Sequence, residues 1–385
     1  MAKIELFLHI GMGKTGTSAI QNFLDINRKN LITRFNCLYP NFSSSSYDEG
    51  RCHNHAQWYR DFKNNDEGFV NEIRKLIIIA ENHGINKIVL SYEGWIFQKE
   101  LAVRIHTISE SFNNLEIKTI SYLRRADKWF ESAWKQWGYK QFDNHEDYLI
   151  KVNNLYQRIL NSYEQWESIH GKENIIIRPY EKQQLPNGIL YDFMACLGIA
   201  YDSISWEKNE ETNLALNLGF DRDVLEVMRL SRELIPAIHD NHMADLFADL
   251  LGNKFQKKPF EGLSILSPSQ RLELINDNLP FEQQIARKYM NREDGGIFYD
   301  PLPDPEEFWQ PYEGLSLEKF VPIVVQLVDS LHQKIEKQNQ LIDRQDQMIS
   351  ELDQRANEIS LFSLIKKMKI FQPLKLLWRR FRKKV

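Results

Sequence analysis

The chain has 385 residues and a mass of 45.7 kDa, and 42% of its residues are hydrophobic and 26% charged. A chain of this size can bury one large core or two modest ones without disulfides or metal sites. No stretch approaches the roughly 18 uninterrupted apolar residues of a membrane-spanning helix, so we expect no transmembrane segment. Three cysteines (Cys37, Cys52 and Cys196) are an odd number without metal-ligand spacing, so we expect neither a disulfide framework nor a metal site.

The formal net charge of −4 conceals an uneven distribution along the chain. Residues Ser360–Val385 contain nine Lys or Arg and no Asp or Glu, so residues 1–359 carry a net charge of −13. An acidic body argues against nucleic acid as a partner, because binding to nucleic acid depends mostly on phosphate neutralisation.

The first 200 residues alternate short apolar runs with helical patterns. The first run, Ile4–Ile10, contains a glutamate and has no small-residue cleavage site, which predicts a strand of a cytoplasmic protein and not a signal peptide. Continuous apolar strands separated by helices predict an α/β fold with a parallel sheet covered on both faces. The other strand candidates are Lys87–Tyr92, Ile117–Leu123 and Ile175–Ile177, and the helical patterns include Thr17–Leu31, Gly68–His83 and Asp127–Gln141.

The second half of the chain is mostly helical. We predict a helical cap over about residues 213–290 and an extended segment wrapped on the body over Gly295–Pro311, both within a catalytic domain of residues 1–325. The heptad pattern of residues 326–360 predicts a coiled coil and therefore self-association. The alternative is a single amphipathic helix lying on the body. The a and d positions of the heptad series are Leu331, Ile335, Gln338, Ile342, Gln345, Ile349, Leu352, Ala356 and Ile359.

The last segment, residues 361–385, mixes apolar and basic residues. Trp378 and Phe381 lie among the nine basic residues, and Pro373 is expected to kink or split the segment. A basic amphipathic helix of this kind is typical of anionic membrane surfaces. We therefore expect a cytoplasmic protein held peripherally at the inner membrane surface.

A glycine-rich loop, Gly11-Met12-Gly13-Lys14-Thr15-Gly16-Thr17-Ser18, links the first strand to the first helix. Free backbone N–H groups at a helix start form an anion site, so the loop predicts a phosphate ligand. A Walker A loop needs a glycine where this chain has Leu8, which disfavours an ordinary ATPase or GTPase. A dinucleotide-binding loop is also disfavoured. Its fingerprint includes an acidic residue that binds the ribose, and no Asp or Glu occurs between Ile26 and Tyr47. A turn without ligand is the remaining alternative.

The same loop closely resembles the phosphosulfate loop of bacterial carbohydrate sulfotransferases, which has the pattern Lys-Thr-Gly-Thr-[Thr/Ser]; here it is Lys14-Thr15-Gly16-Thr17-Ser18. The resemblance implies that residues Gly13–Ser18 bind the 5′ end of 3′-phosphoadenosine 5′-phosphosulfate (PAPS) as cosubstrate. It also implies that Lys14 neutralises the bridging oxygen as the sulfuryl group departs. A transferring sulfuryl group needs preorganised positive charge on the leaving phosphate, which Lys14 can supply.

A second motif supports the resemblance. Arg124 follows the strand Ile117–Leu123, and Ser132 comes eight residues later on the next helix, the separation at which sulfotransferases bind the 3′-phosphate. The segments Ile175–Glu181 and Asn291–Phe298 also resemble elements of the family. The resemblance covers about residues 3–311 and implies a P-loop-like five-stranded parallel sheet flanked by helices.

Attack by a hydroxyl on sulfur requires a group that accepts its proton, and two candidates stand out. His53 lies in a His-Asn cluster that resembles one found in related bacterial enzymes, although the neighbouring His55 leaves that assignment open by two residues. Glu93 ends a Ser-x-Glu element at the carboxyl end of the strand Lys87–Tyr92. We place His53 ahead of Glu93, because an unperturbed imidazole titrates at about 6.5.

These observations predict a sulfotransferase that moves the sulfuryl group of PAPS to a hydroxyl of a carbohydrate or glycolipid. Two alternatives are a nucleotide-binding, membrane-associated scaffold without transfer activity and a P-loop-type phosphotransferase. The sequence does not identify the acceptor sugar.

Overall fold

A computed structural model describes residues 3–43, 47, 52–62, 64–207, 219–235, 237–251, 256–257 and 264–359. The chain divides into two compact units. The first comprises residues 1–244 and 253–315, and the second comprises residues 245–252 and 316–385. The basic segment 361–385 and parts of the predicted cap lie outside the described residues.

The first unit is built on a parallel sheet of five strands in the order β2-β3-β1-β4-β5. Its central strand β1 pairs with β3 on one side and β4 on the other. All six residues of β1 except Glu5 are buried, as expected for a parallel sheet with both faces covered. The strands are β1 (Ile4–His9), β2 (Cys37–Leu38), β3 (Lys87–Ser91), β4 (Leu115–Leu123) and β5 (Ile175–Pro179).

Helices flank this sheet, which confirms the predicted α/β class. They bury apolar stripes; in α1, for example, Ile20, Phe23 and Leu24 pack with Phe7 of β1 and Tyr122 of β4 in one core cluster. The helices of this part are α1 (Thr17–Ile26), α2 (Arg28–Phe35), α3 (Ala56–Asp61), α4 (Asp66–Asn82), α5 (Lys99–Ser109), α6 (Ala126–Ala133), α7 (Tyr139–Gln141), α8 (His145–Val152), α9 (Leu155–His170) and α10 (Ile189–Cys196).

Further helices follow the sheet. The longest in the first unit begins with a capping box, in which Ser267 and Gln270 satisfy each other's backbone N–H, and with Pro268 at its first position. These helices are α11 (Arg222–Leu230), α12 (His242–Leu251) and α13 (Pro268–Tyr289), and two short strands, β6 (Gly219–Phe220) and β7 (Gln256–Lys257), form a separate antiparallel pair.

The segment after α13 is irregular and is attached by backbone hydrogen bonds. The Glu181 carboxylate accepts from the N–H groups of Tyr299 and Asp300, at 2.6 to 3.0 Å. Arg125 donates to the carbonyl oxygens of Asp300 and Pro301. The residues directly after the resembling segment Asn291–Phe298 are therefore bound to Glu181, the last residue of Ile175–Glu181.

The second unit contains the long helix α14 (Leu317–Ile359), which has 43 residues. Lys334 of this helix forms an ion pair with Asp249, at the end of α12. Within the described part of the chain no helix is long and apolar enough to cross a membrane. The three cysteines are free thiols.

Candidate functional site

The glycine-rich loop lies between β1 and α1, at the carboxyl edge of the sheet, where parallel α/β folds place their ligands. Three of its residues adopt the left-handed region: Gly11 (φ 56°), Lys14 (φ 71°) and Gly16 (φ 80°). Gly16 forms the N-cap of α1 without any side-chain cap. The helix therefore begins with its positive end open towards the loop.

Several donors of the loop are unused. Among the hydrogen bonds of the described residues, the N–H groups of Gly16, Thr17 and Ser18 donate to no protein atom. The Thr17 hydroxyl is buried and has no partner of normal hydrogen-bond geometry. Thr15, by contrast, turns its hydroxyl inward to the carbonyl of Met12. A cluster of this kind binds anions.

Close packing fixes the shape of the loop. The Trp129 indole donates to the carbonyl oxygen of Gly13 at 3.0 Å. A Cβ added at Gly13 would lie 2.6 Å from the Trp137 ring, and one at Gly11 would lie 2.9 Å from the Cα of Glu93. Glycine is therefore required at both positions for space.

Lys14 occupies the middle of this loop and is half-buried. Its Nζ donates to Oε1 of Gln136 at 2.6 Å. Burial first, and then the charge of Arg124, lowers the pKa of Lys14 to about 8, although Glu93 opposes the shift. Gln136 belongs to a π-helical turn, Trp134–Gly138, between α6 and α7; such turns are frequent at functional sites.

Arg124 follows β4 and is buried beside the loop. Its Nη1 donates to the carbonyl oxygen of Lys14 at 3.0 Å, and its guanidinium lies 5.7 Å from the ring centre of Tyr180. Burial lowers the pKa of Arg124. Tyr180 also packs against Gly16, since a Cβ there would lie 3.0 Å from its ring.

The adjacent Arg125 has a different environment. It forms two hydrogen bonds with Asp127, at 2.8 and 3.0 Å, in addition to its bonds to backbone carbonyls. Arg125 is thus a structural residue, and Arg124 is the arginine that the site can use. Ser132, the predicted partner of Arg124, lies half-buried in α6, and its role in binding stays a prediction.

Glu93 begins a 3₁₀ turn, Glu93–Phe97, directly after β3. Burial raises the pKa of its carboxyl group, while the Thr17 hydroxyl and the charges of Lys14, His239 and His53 act in the opposite direction. The structure therefore brings Glu93, Thr17 and Lys14 together, with His53 within electrostatic range.

The two histidines of the His-Asn cluster differ in their surroundings. His55 is completely buried; the Ser91 N–H donates to its Nδ1 at 2.9 Å, so the proton is on Nε2, which donates to the Pro40 carbonyl at 2.9 Å. Burial lowers the pKa of His55 to about 4, so it is neutral and has a structural role. His53 is exposed, so of these two histidines it remains the candidate for the general base.

His239 is a residue that the sequence reasoning missed. It is exposed in a turn before α12 and interacts electrostatically with Glu93. The buried Lys140 holds this turn, because its Nζ donates to the carbonyl oxygens of Ile238 and Asp240 and to Oδ1 of Asn241, at 2.6 to 3.1 Å. No local motif marks His239, since only the fold brings it to the loop.

The chain shows limited similarity to known proteins. No protein-family model matches the chain. An uncharacterised protein of Archaeoglobus fulgidus is 34% identical over 91 residues, which is 23% of this chain and 24% of that protein's length.

Two solved structures are similar to parts of the chain. A sulfotransferase from Alicyclobacillus acidocaldarius covers 62% of it at 16% identity and a TM-score of 0.33, with 97% of that chain matched. A sulfotransferase domain from the curacin biosynthetic pathway covers 53% at 13% identity and a TM-score of 0.31, with 76% of that chain matched.

The arrangement suits an anionic ligand. Two cations lie close together, the half-buried Lys14 and the buried Arg124, and burial lowers the pKa of each. Glu93, Asp127 and Glu131 offset part of this charge. An anion on the open start of α1 would relieve the repulsion between the two cations. Among the described residues there is no group of three or more His, Cys, Asp or Glu that could hold a metal ion.

Proposed function

We propose that this protein is a sulfotransferase that uses PAPS to sulfate a hydroxyl group of a carbohydrate or glycolipid. The observation that carries the proposal is that two cations, the half-buried Lys14 and the buried Arg124, lie beside the open N-terminus of α1. Two cations beside a helix N-terminus attract an anion, and the Lys-Thr-Gly-Thr-Ser loop is the pattern that suggests which anion. The acceptor class rests on the sequence resemblance.

In this proposal the loop residues Gly13–Ser18 bind the 5′ end of the nucleotide. Arg124 and Ser132 bind the 3′-phosphate, and Tyr180 supports both sides, because it contacts Gly16 as well as Arg124. When bound, PAPS supplies an activated sulfuryl group and a phosphate leaving group.

The remaining groups handle charge and protons. Lys14 places its ammonium where negative charge develops on the leaving phosphate, and this charge acts strongly because the site is buried. His53 or Glu93 accepts the proton of the attacking hydroxyl, and Glu93 is electrostatically coupled to both Lys14 and His53. His53 and His239 are exposed near Glu93, where they can bind the acceptor hydroxyls or take the proton themselves.

Calorimetric titration with 3′-phosphoadenosine 5′-phosphate, compared with 5′-AMP, tests the nucleotide site. We expect clearly tighter binding of the bisphosphate, and we expect Ser132→Ala to weaken that preference. Ser168→Ala, on the exposed face of α9, is the matched control and should leave it unchanged. Equal affinities of the wild-type protein for the two nucleotides would exclude the 3′-phosphate site.

Turnover separates the proposal from its alternatives. The protein is incubated with ³⁵S-labelled PAPS and a panel of carbohydrate and glycolipid acceptors. Labelled product that depends on Lys14 supports transfer. Tight nucleotide binding without labelled product for any acceptor would favour the scaffold, and transfer of a phosphoryl group from ATP would favour the phosphotransferase.

A further inference from the structure

The helix α14 exposes a long apolar stripe. Seven of its side chains in the stripe have exposed fractions of 42 to 61%, although all are Val, Leu or Ile: Val321, Val328, Leu331, Ile335, Ile342, Ile349 and Leu352. Leu317, at the start of the helix, is 75% exposed. An apolar stripe of this length indicates a surface that another chain covers.

The heptad positions of the stripe indicate what covers it. The heptad series extends back to the start of the helix, with Leu317 and Val324 at d and Val321 and Val328 at a. Every a position from 321 to 349 is therefore β-branched (Val321, Val328, Ile335, Ile342 and Ile349), and Leu occupies d at 317, 331 and 352. β-Branched residues at a with Leu at d favour a parallel, two-stranded coiled coil.

The two polar residues of the seam favour the same partner. Gln338 and Gln345 both occupy d positions in consecutive heptads. In a parallel, in-register pair each glutamine lies opposite its own copy and can hydrogen-bond to it. A register shifted by one heptad would leave one glutamine of each chain opposite Leu, and a partner without matching polar residues would leave both amides unsatisfied.

We infer that α14 is the interface of a parallel, in-register homodimer, with a second copy of this chain as the occupant of the apolar stripe. Residues 353–359, for which only the helical backbone is described, continue the same a and d series with Ala356 and Ile359. This inference does not depend on the proposed activity.

The native mass of the full chain tests the inference. Sedimentation equilibrium at micromolar concentration should give twice 45.7 kDa for the wild-type protein. The double variant Ile342→Asp, Ile349→Asp should give the monomer mass. The control Gln340→Asp, Gln347→Asp adds the same charge at outward positions, two residues before each substituted a position, and should stay dimeric. A monomeric wild-type protein, a trimer or a tetramer would overturn the inference.

Cross-linking tests the orientation. Under oxidising conditions Gln338→Cys should form a disulfide-linked dimer, because position 338 faces its own copy in the parallel, in-register pair. The control Gln340→Cys keeps the three native cysteines and carries the added thiol on the outer face, so it should cross-link no more than the wild-type protein. A dimer that fails to cross-link at position 338 would overturn the parallel, in-register arrangement.

Discussion

Lys14 carries its charge in surroundings that oppose it, and this sets the pH dependence of the site. Its pKa is lowered from 10.5 to about 8, mainly by burial and then by Arg124. In the free protein the ammonium therefore loses its proton as the pH rises through about 8, whereas an exposed lysine would keep it.

We expect binding of 3′-phosphoadenosine 5′-phosphate to weaken as the pH rises from 7 to 9.5, because an anion prefers the protonated form of Lys14. Affinity should fall by up to about tenfold for each pH unit above the pKa of Lys14. Calorimetry across this range measures it. Lys14→Arg, whose side chain does not lose its proton, should bind with an affinity independent of pH. A wild-type affinity that is constant up to pH 9.5 would contradict this prediction.

Glu93 and the imidazoles near it can be separated by kinetics. If Glu93 is the base, Glu93→Gln should lower turnover by about 10²- to 10⁴-fold with nucleotide affinity near the wild-type value. His53→Ala and His239→Ala should then act mainly on the acceptor KM. A loss of that size in His53→Ala, with Glu93→Gln fully active, would assign the base to His53 instead.

Sequence patterns predicted the parts of the site that lie next to a strand end. Lys14, Glu93 and Arg124 each follow a buried strand, and parallel strands bring their carboxyl ends to one edge. Gln136 and His239 could not be predicted in this way. Gln136 reaches Lys14 from a π-helical turn, and His239 lies in a turn held by Lys140. Both placements depend on contacts between residues far apart in the sequence.

At the scale of elements, runs of three or more apolar residues predicted strands, and a two-residue strand was missed. Four of the five sheet strands were predicted from their runs of buried aliphatic residues, and the parallel α/β class followed. The strand β2 was missed, because two residues, Cys37 and Leu38, show no periodicity. The helix α14 was predicted from its heptads, and its pairing stays a prediction.

The helix α13 carries a buried acid that should make stability depend on pH. Glu282 has an oxygen with no hydrogen-bond partner in the described structure, and burial raises its pKa to about 8, with Arg125 opposing and Asp127 adding to the shift. Because the folded pKa exceeds the unfolded one, the neutral acid stabilises the fold fully below about pH 4.5. This contribution is lost as the pH rises towards 8.

We expect Glu282→Gln to remove this part of the pH dependence. The free energy of unfolding is measured in urea at pH 5 and pH 8. Between these pH values the stability of the variant relative to the wild-type protein should rise by on the order of 3 kcal/mol. Glu273→Gln, an exposed site on the same helix, is the control and should follow the wild-type curve. A constant difference between Glu282→Gln and the wild-type protein at both pH values would refute the assignment.

At the scale of the whole molecule, charge is divided between an acidic body and a basic end. Residues 1–359 carry −13, and the last 26 residues carry nine basic groups with Trp378 and Phe381 among them. Those last residues lie outside the described structure, so the proposal of an anchor at the anionic inner membrane surface rests on their sequence. Each basic residue near such a surface contributes about 1 kcal/mol, and the acidic body would be repelled by it. We propose that the heptad helix serves as a spacer, its roughly 30 residues reaching about 45 Å at 1.5 Å per residue.

Flotation with liposomes tests this anchor. Full-length protein should float with anionic vesicles at low salt and less at 0.5 M salt, since screening weakens the attraction. A chain truncated after Ile359 should remain in the dense fraction, and zwitterionic vesicles should recover little of either protein. The double variant Ile342→Asp, Ile349→Asp keeps every basic residue of the end but presents one end instead of two, so its recovery should fall between those of the other two proteins. Equal recovery of the full-length and truncated proteins with anionic vesicles would show that residues 360–385 are not the anchor.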